Sequence, residues 1–156
     1  MIHPSKIFGR LGNSLFQYAT LYSYSKDIGS DYYFQSPEYF DEYRSEIKQL
    51  FGQDIYPIDM VAIHIRRGDY VNNPFYVDLT STDYYERAIK EFPLGTTFLV
   101  FSDDIEWCKS YLVGNEFEYS EGKTEIEDLN LMAGCKGIIM ANSSFSWWGA
   151  YLGDDN

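Results

Sequence analysis

The chain has 156 residues, of which 45% are apolar and 19% aromatic, which suits one domain with a substantial core and excludes a disordered chain. Its net charge of −12 argues against a general affinity for nucleic acid or for anionic membranes. The two cysteines, Cys108 and Cys135, have neither metal-ligand spacing nor the density of a disulfide scaffold. We therefore expect reduced thiols, a cytoplasmic location and, since no apolar run approaches the roughly 20 residues that cross a bilayer, no transmembrane segment.

Strand and helix signals alternate along the first part of the chain. A short strand is followed by a glycine-bearing turn, a helix, a second strand and a second helix. The first helix is expected to face inward with Leu15, Phe16, Ala19 and Tyr22. The predicted ranges, in this order, are 5–8, 9–13, 14–26, 31–35 and 38–51.

The alternation continues with the clearest buried strand of the sequence, at 60–66. Capping-box patterns predict two helix starts, one at Asp83 with Glu86 and one at Thr124 with Glu127. The second of these helices is expected to bury positions that include Ile126 and Leu129. The remaining predicted elements are helix 83–92, strand 97–101, helix 105–112, strand 117–119, helix 124–136, strand 137–141 and helix 143–152.

Alternating strands and helices predict an α/β fold, a Rossmann-like parallel sheet covered by helices. Ligands of such folds bind at the carboxyl ends of the strands. Three polar clusters follow predicted strands, at 64–69, 102–104 and 142–146. We expect these clusters to converge on one rim of the sheet.

The first cluster suits a phosphate ligand. Side chains alternate along a strand, so His64 and Arg66 share a face, and the planar fork of an arginine matches a phosphate group. We predict that both residues bind a nucleotide diphosphate. Arg67, on the opposite face, is expected to pair with Asp69 or with an acid on a helix. The alternative for the whole segment is an internal cluster of salt bridges that closes a loop.

The third cluster places Ser143 and Ser144 where a strand gives way to a helix. Free backbone N–H groups and hydroxyls at such a position can bind an anion. The alternative is a plain helix cap, with Trp147 and Trp148 packed in the core. A glycine-bearing turn that ends at Asn13 is a weaker candidate for a phosphate loop, because it lacks the third glycine and the lysine of known patterns.

Two pairs of adjacent acids, Asp103-Asp104 and Glu127-Asp128, are candidates for metal ligands. A carboxylate pair that holds a nucleotide-bound metal usually has one residue between its members, and this spacing is absent. A helix start whose acids complement the helix dipole accounts for them more simply. We therefore expect neither a metal ion nor a cofactor.

Five segments resemble, in the same order, the α-1,2-fucosyltransferases of glycosyltransferase family 11. The His-x-Arg-Arg-Gly-Asp pattern and the Ser-Phe-Ser-Trp-Trp-Gly pattern are the most specific. The resemblance implies an inverting, metal-independent transfer of fucose from GDP-fucose to a galactose hydroxyl of a glycan. It also implies a GT-B fold of two Rossmann-like domains with the site between them. The segments lie at 9–19, 64–70, 101–104, 128–132 and 142–150.

The same resemblance assigns roles by position. Arg66 resembles the arginine that binds the donor diphosphate, and His64 and Asp128 resemble contacts to guanine or ribose. Asp69 is the positional candidate for a catalytic base, with a structural role in the turn as the alternative. Ser143, Ser144 and Phe145 resemble the turn around the phosphates, and Asn13 is expected to face the same cleft.

The segment between Ala19 and Val61 is shorter than in the family, so the resemblance is to a shortened member. We expect a reduced N-terminal, acceptor-side segment at 1–58 and a GDP-fucose-binding, Rossmann-like lobe at 59–156. The alternative to an active enzyme is a non-catalytic lobe that holds a GDP-sugar or a partner subunit. The expected ligands are GDP-fucose and a galactose-terminated glycan, and a role in glycan synthesis adds the periphery of a membrane as a location.

Aromatic residues are dense between positions 31 and 56. Their exposure on a reduced lobe predicts a homodimer, because large exposed apolar patches mark interfaces and identical chains most often pair about a two-fold axis. The alternative is that these aromatics fold back over the sheet and close a monomeric core.

Overall fold

The computed structural model describes residues 10–27, 37–52 and 54–153, with the side chains of all these residues except 21–27 and 39. The predicted strands at 5–8 and 31–35 and the orientation of Tyr22 lie outside this description. Short 3₁₀ turns cover Pro37–Tyr39, Asp41–Tyr43 and Leu79–Ser81. The helices are α1 (Leu11–Asp27), α2 (Arg44–Phe51), α3 (Tyr84–Lys90), α4 (Ile105–Tyr111), α5 (Glu125–Gly134) and α6 (Ser144–Leu152), and the strands are β1 (Ile58–Ile65), β2 (Phe98–Ser102), β3 (Phe117–Tyr119) and β4 (Cys135–Ile139).

Within the described part of the chain the strands form one four-stranded sheet, all parallel, in the order β3-β2-β1-β4. The first three strands are added in one direction, and β4 then pairs with the other side of β1. The direction of winding therefore reverses between β1 and β4, which is the position where open α/β sheets bind ligands. The predicted Rossmann-like parallel sheet is confirmed.

Helices cover both faces of the sheet, and consecutive residues of β1 face opposite layers. Ile63 and Ile65 pack with Tyr85 of α3 on one face. Ala62 packs with Met132 of α5 on the other. This alternation sends the two arginines that follow β1 in opposite directions.

Helix α1 packs against α6 around Trp148, which is completely buried. Phe16 meets the Trp148 ring edge-on, with centroids 5.0 Å apart, and Phe40 stacks on it at 5.8 Å. The core role expected for Trp148 is thus confirmed. Phe40 and Phe51 both fold back onto this ring, as in the monomeric alternative. The homodimer and the boundary after residue 58 stay predictions.

The single helix predicted at 38–51 is wrong. Two 3₁₀ turns precede α2, because Phe40 leaves the helical conformation (φ −147°) while its ring enters the core. Helix α5 ends at Gly134 rather than at residue 136, and β4 starts at once, at Cys135. A side chain at Gly134 would collide with the backbone oxygen of Tyr56. Ile126, expected inside, is 61% exposed.

One of the two predicted capping boxes is confirmed. The Thr124 hydroxyl accepts a hydrogen bond from the Glu127 amide (3.3 Å), and the Glu127 carboxylate accepts one from the Thr124 amide (2.7 Å). The box at Asp83 is wrong, because its carboxylate pairs with Arg87 one turn later (3.3 Å). The Thr82 hydroxyl accepts the Tyr84 amide instead, at 3.2 Å.

Candidate functional site

A cleft of about 350 Å³ lies where the strands end and the winding reverses. The residues predicted from the sequence to bind ligand or to act in catalysis all line it, so the three strand-end clusters converge as expected. The sequence indicated no role for Arg10, Tyr76 or Glu125, which line it as well. The predicted residues in the cleft are Asn13, His64, Arg66, Asp69, Asp128, Ser143, Ser144 and Phe145.

Two helices point their N-termini at this cleft, α1 at Leu11 and α6 at Ser144. Their close approach depends on Gly12, since a Cβ there would lie 2.7 Å from the backbone of Ser144 and Phe145. The Asn13 carboxamide oxygen accepts a hydrogen bond from the Ser144 hydroxyl at 2.9 Å. The positive ends of two helix dipoles make this end of the cleft suited to an anion.

Arg66 reaches the cleft from the end of β1, and its side chain is only 12% exposed. Its guanidinium lies 2.6 Å from a carboxylate oxygen of Asp103 and also donates to Asp69. Asp103 accepts the backbone amides of Arg67 (2.9 Å) and Gly68 (3.3 Å) as well. Arg66 therefore lines the cleft and also belongs to a salt-bridge cluster, which was the alternative, while its binding of a diphosphate stays a prediction.

Arg67 points to the other face of the sheet and does not line the cleft. Its guanidinium donates to Asp104 (3.1 Å) and to Thr80 (3.1 Å), and lies 3.5 Å from the centroid of the Trp107 ring. Asp104 also caps α4 by accepting the Trp107 amide. The expected partner on a helix is thus confirmed, and Asp69 is the partner of Arg66 instead.

Of the acids that the sequence offered as metal ligands, Asp103 and Asp104 are engaged by arginines, Glu127 closes the capping box of α5 and Asp128 accepts from Ser120. Among the residues that the structure describes, no group of three His, Cys, Asp or Glu side chains could hold a metal ion.

His64 is buried in the wall of the cleft, with 5% of its surface exposed. Burial lowers the pKa of its imidazole from 6.5 to about 4, so the ring is neutral at neutral pH. Its Nδ1 atom is buried and has no hydrogen-bond partner among the described residues. The ring lies 5.4 Å from that of Phe145. A neutral, unpartnered imidazole in a cleft wall can donate to or accept from a polar ligand.

Two carboxylates of the cleft differ in proton affinity. Burial raises the pKa of Asp128, against a hydrogen bond from the Ser120 hydroxyl at 2.6 Å. Burial also acts to raise the pKa of Asp69, but a hydrogen bond from its own backbone amide and the Arg66 charge hold that pKa below its usual range. While it is paired with Arg66, Asp69 is a weaker base than an ordinary carboxylate.

Aromatic side chains from the loop after β1 form one wall of the cleft. The rings of Tyr70 and Tyr76 stack with centroids 4.3 Å apart and planes 8° from parallel. The Tyr70 hydroxyl donates to the backbone oxygen of Asn142 at 2.9 Å, and the side-chain Nδ2 of Asn142 donates to the backbone oxygen of Val77 at 3.1 Å. These bonds fasten the loop to the turn between β4 and α6.

A parallel α/β sheet with two helix N-termini and an arginine at its winding reversal defines a Rossmann-like protein with a cleft suited to an anionic ligand. The chain belongs to glycosyltransferase family 11, since residues 30–156 match the family described as Glycosyl transferase family 11. The resemblance read from the motifs is confirmed at this level.

Individual relatives support the same family. An alpha-1,2-colitosyltransferase of Escherichia coli is 37% identical over 143 positions, which cover 77% of this chain and 49% of the relative. The O-antigen biosynthesis glycosyltransferase WbnK of the same species is 33% identical over 147 positions, with the same coverage. The galactoside alpha-(1,2)-fucosyltransferase 2 of Rattus norvegicus is 31% identical over 111 positions, which cover 62% of this chain and 30% of the relative.

The chain spans about half the length of the two bacterial relatives. No solved structure matches it. In the described part of the chain, no helix is both long enough and apolar enough to cross a bilayer.

Proposed function

We propose that this protein is a glycosyltransferase that moves fucose from GDP-fucose to a galactose hydroxyl of a glycan, with inversion and without a metal ion. One observation carries the proposal: Arg66 lies in the same cleft as the N-termini of α1 and α6. Family membership and the names of the relatives, which include a fucosyltransferase, support the choice of sugar and linkage.

The diphosphate of the donor takes the centre of the cleft in this proposal. Two helix N-termini and Arg66 supply the positive charge that a metal ion supplies elsewhere, and Arg10 at the rim adds a second cation. Arg66 exchanges its bond to Asp69 for a phosphate oxygen. Asp103 holds the guanidinium in place from the other side, since it is itself fixed by two backbone amides.

The transfer is a single displacement. The acceptor oxygen forms a bond to the anomeric carbon of fucose while the bond to the phosphate oxygen breaks, and GDP leaves with the electron pair. The cations and helix ends that held the diphosphate also stabilise the charge on the leaving group. No covalent step on the protein is needed.

Asp69 is the proposed base for the acceptor proton. In the free cleft its pairing with Arg66 holds its pKa down. When the diphosphate takes over that guanidinium, the pKa of Asp69 rises and the carboxylate becomes a better base at the moment when both substrates are bound. His64 and Asp128 are the proposed contacts to guanine or ribose, His64 as a neutral ring.

Transfer of colitose is a second candidate, favoured by the name of the relative that is 37% identical. The two candidates differ in the donor sugar. A direct competition for turnover between fucose and colitose donors that carry the same nucleotide distinguishes them.

The test is a donor panel by calorimetry in a chelating buffer, followed by product analysis on galactose-ended acceptors. We expect binding of GDP and GDP-fucose, weak binding of UDP-sugars, and an α-1,2-linked product. Binding of GDP-sugars with neither transfer nor hydrolysis would leave the non-catalytic lobe as the better account. Equal binding of UDP- and GDP-sugars would contradict the proposed donor.

A further inference from the structure

We propose that the exposed face of the Tyr70–Tyr76 pair is the binding platform for the galactose ring of the acceptor. This inference rests on the proposed function, because it names the substrate of the same cleft. It starts from the order of groups along the cleft, which no motif in the sequence describes.

The cleft has two chemically different ends. Glu125 and Asp128 line it where α5 begins, close to Ser120 at the end of the edge strand β3. Tyr70 and Tyr76 line it on the opposite side, where the Tyr70 hydroxyl reaches Asn142 at the end of β4.

Arg66 follows β1, which lies between those two edges of the sheet. A sugar nucleotide with its diphosphate at Arg66 therefore has its nucleoside at one end and its sugar at the other. Carboxylates suit the hydroxyls of ribose and the N–H groups of a base. The sugars that react accordingly belong at the tyrosine end.

The stacked rings of Tyr70 and Tyr76 offer a flat apolar surface. The electron-rich face of an aromatic ring attracts the polarised C–H groups of a pyranose, and galactose has such a face because its 4-hydroxyl is axial. Tyr70 lies 5.6 Å from the Arg66 guanidinium and is covered by Tyr76. Tyr76 itself is 46% exposed at the rim.

The loop holds this surface in a fixed position. The side-chain Nδ2 of Asn73 donates to the backbone oxygen of Asp69 (3.0 Å), and the side-chain Oδ1 of Asn73 accepts the backbone amide of Phe75 (3.0 Å). Because Asp69 is the proposed base, the same loop would carry both the platform and the group that takes the acceptor proton.

The acceptor fits this place better than the donor sugar does. The donor sugar is attached to the diphosphate and must lie beside Arg66, whereas Tyr76 stacks on Tyr70 and is 46% exposed at the rim. Its neighbours Phe75 and Val77 are exposed too, so the rim is open in the direction in which a longer glycan must leave.

The test measures binding rather than turnover. Lactose or a β-methyl galactoside is titrated by NMR into the GDP-saturated protein, in wild type, Tyr76→Ala and Tyr76→Phe. Tyr56→Ala is the matched control, since Tyr56 is an exposed tyrosine that does not line the cleft. We expect Tyr76→Ala to weaken galactoside binding by roughly three- to tenfold. Tyr76→Phe and Tyr56→Ala should keep the wild-type affinity, and the affinity for GDP should be the same in all variants.

Three outcomes overturn the platform: equal galactoside affinity in wild type and Tyr76→Ala, no saturable galactoside binding by wild type, or a loss in Tyr76→Ala of affinity for GDP-fucose but not for GDP. The last result would assign the tyrosines to the donor sugar. The proposed function is judged separately, by GDP-fucose binding and turnover of wild type, so either idea can fail alone.

Discussion

Arg66→Ala is the substitution that most directly tests the site. The change removes the guanidinium that lies 2.6 Å from Asp103 and is paired with Asp69. It is compared with Arg67→Ala, which removes the next arginine of the chain from the opposite face of the sheet. Arg67 contacts Asp104, Thr80 and Trp107, outside the cleft.

Arg66→Ala should lose more GDP affinity than Arg67→Ala, and Arg67→Ala should lose more stability than Arg66→Ala. A charge-assisted bond to phosphate is worth about 1.5–3 kcal/mol, so Arg66→Ala should weaken GDP binding by about ten- to a hundredfold. The lower end is expected, because Arg66 gives up a carboxylate contact to reach the phosphate.

The stability cost of Arg66→Ala should stay near 1–2 kcal/mol, since Asp103 is still 20% exposed and keeps two backbone donors. Arg67→Ala loses an ion pair, a hydrogen bond and a cation–π contact, which together should cost about 2–3 kcal/mol of unfolding free energy and leave GDP affinity unchanged.

Calorimetric titration with GDP and urea unfolding of the same preparations measure both quantities. Wild-type GDP affinity in Arg66→Ala, or an equal loss of GDP affinity in Arg67→Ala, would contradict a role for Arg66 in binding the diphosphate. Arg66→Lys adds a finer test, because it keeps the charge but loses the fork, and it should recover only part of the affinity.

Three further predictions follow from the same geometry. GDP affinity measured by calorimetry should be the same with and without a chelator, and a loss that Mn²⁺ or Mg²⁺ restores would contradict metal-independent binding. Since burial lowers the pKa of His64 from 6.5 to about 4, the unfolded chain binds a proton between these pH values that the folded chain does not. The free energy of unfolding should therefore be close to its full value above about pH 7 and fall by about 2 kcal/mol between pH 7 and pH 5. Urea unfolding of His64→Gln should show no such fall. Equal pH dependence of the unfolding free energy in wild type and His64→Gln would show that the imidazole is not the cause. Thr124→Ala should lower the free energy of unfolding by about 1 kcal/mol through loss of the capping box, with Thr124→Ser close to wild type as its control.

Features that depend on residues close together in the chain were predictable from the sequence alone. The apolar run of β1 is by itself typical of a buried strand, and both members of the capping box at Thr124 lie within four residues. The alternation along a strand was enough to predict that Arg66 and Arg67 point in opposite directions. The order of strands and helices was predictable for the same reason.

Other features depend on residues far apart in the chain. The helix predicted through Phe40 is broken, because burial against Trp148, more than 100 residues away, outweighs local helix propensity. The sequence left the partner of Arg67 open between Asp69 and an acid on a helix, since spacing alone does not show which guanidinium turns toward which carboxylate.

The tertiary structure brings the strand-end clusters of the cleft together and adds residues that no motif indicated. The strand order places β4 beside β1, and this pairing brings the Ser143–Ser144 turn to Arg66. Gly12 then lets α1 approach α6 closely enough to add a second helix N-terminus. Tyr76 lines the cleft wall, where it stacks on Tyr70, and no sequence motif predicted this position. These contacts join segments with no common period, so their free energy depends on the assembled sheet, which no local pattern encodes.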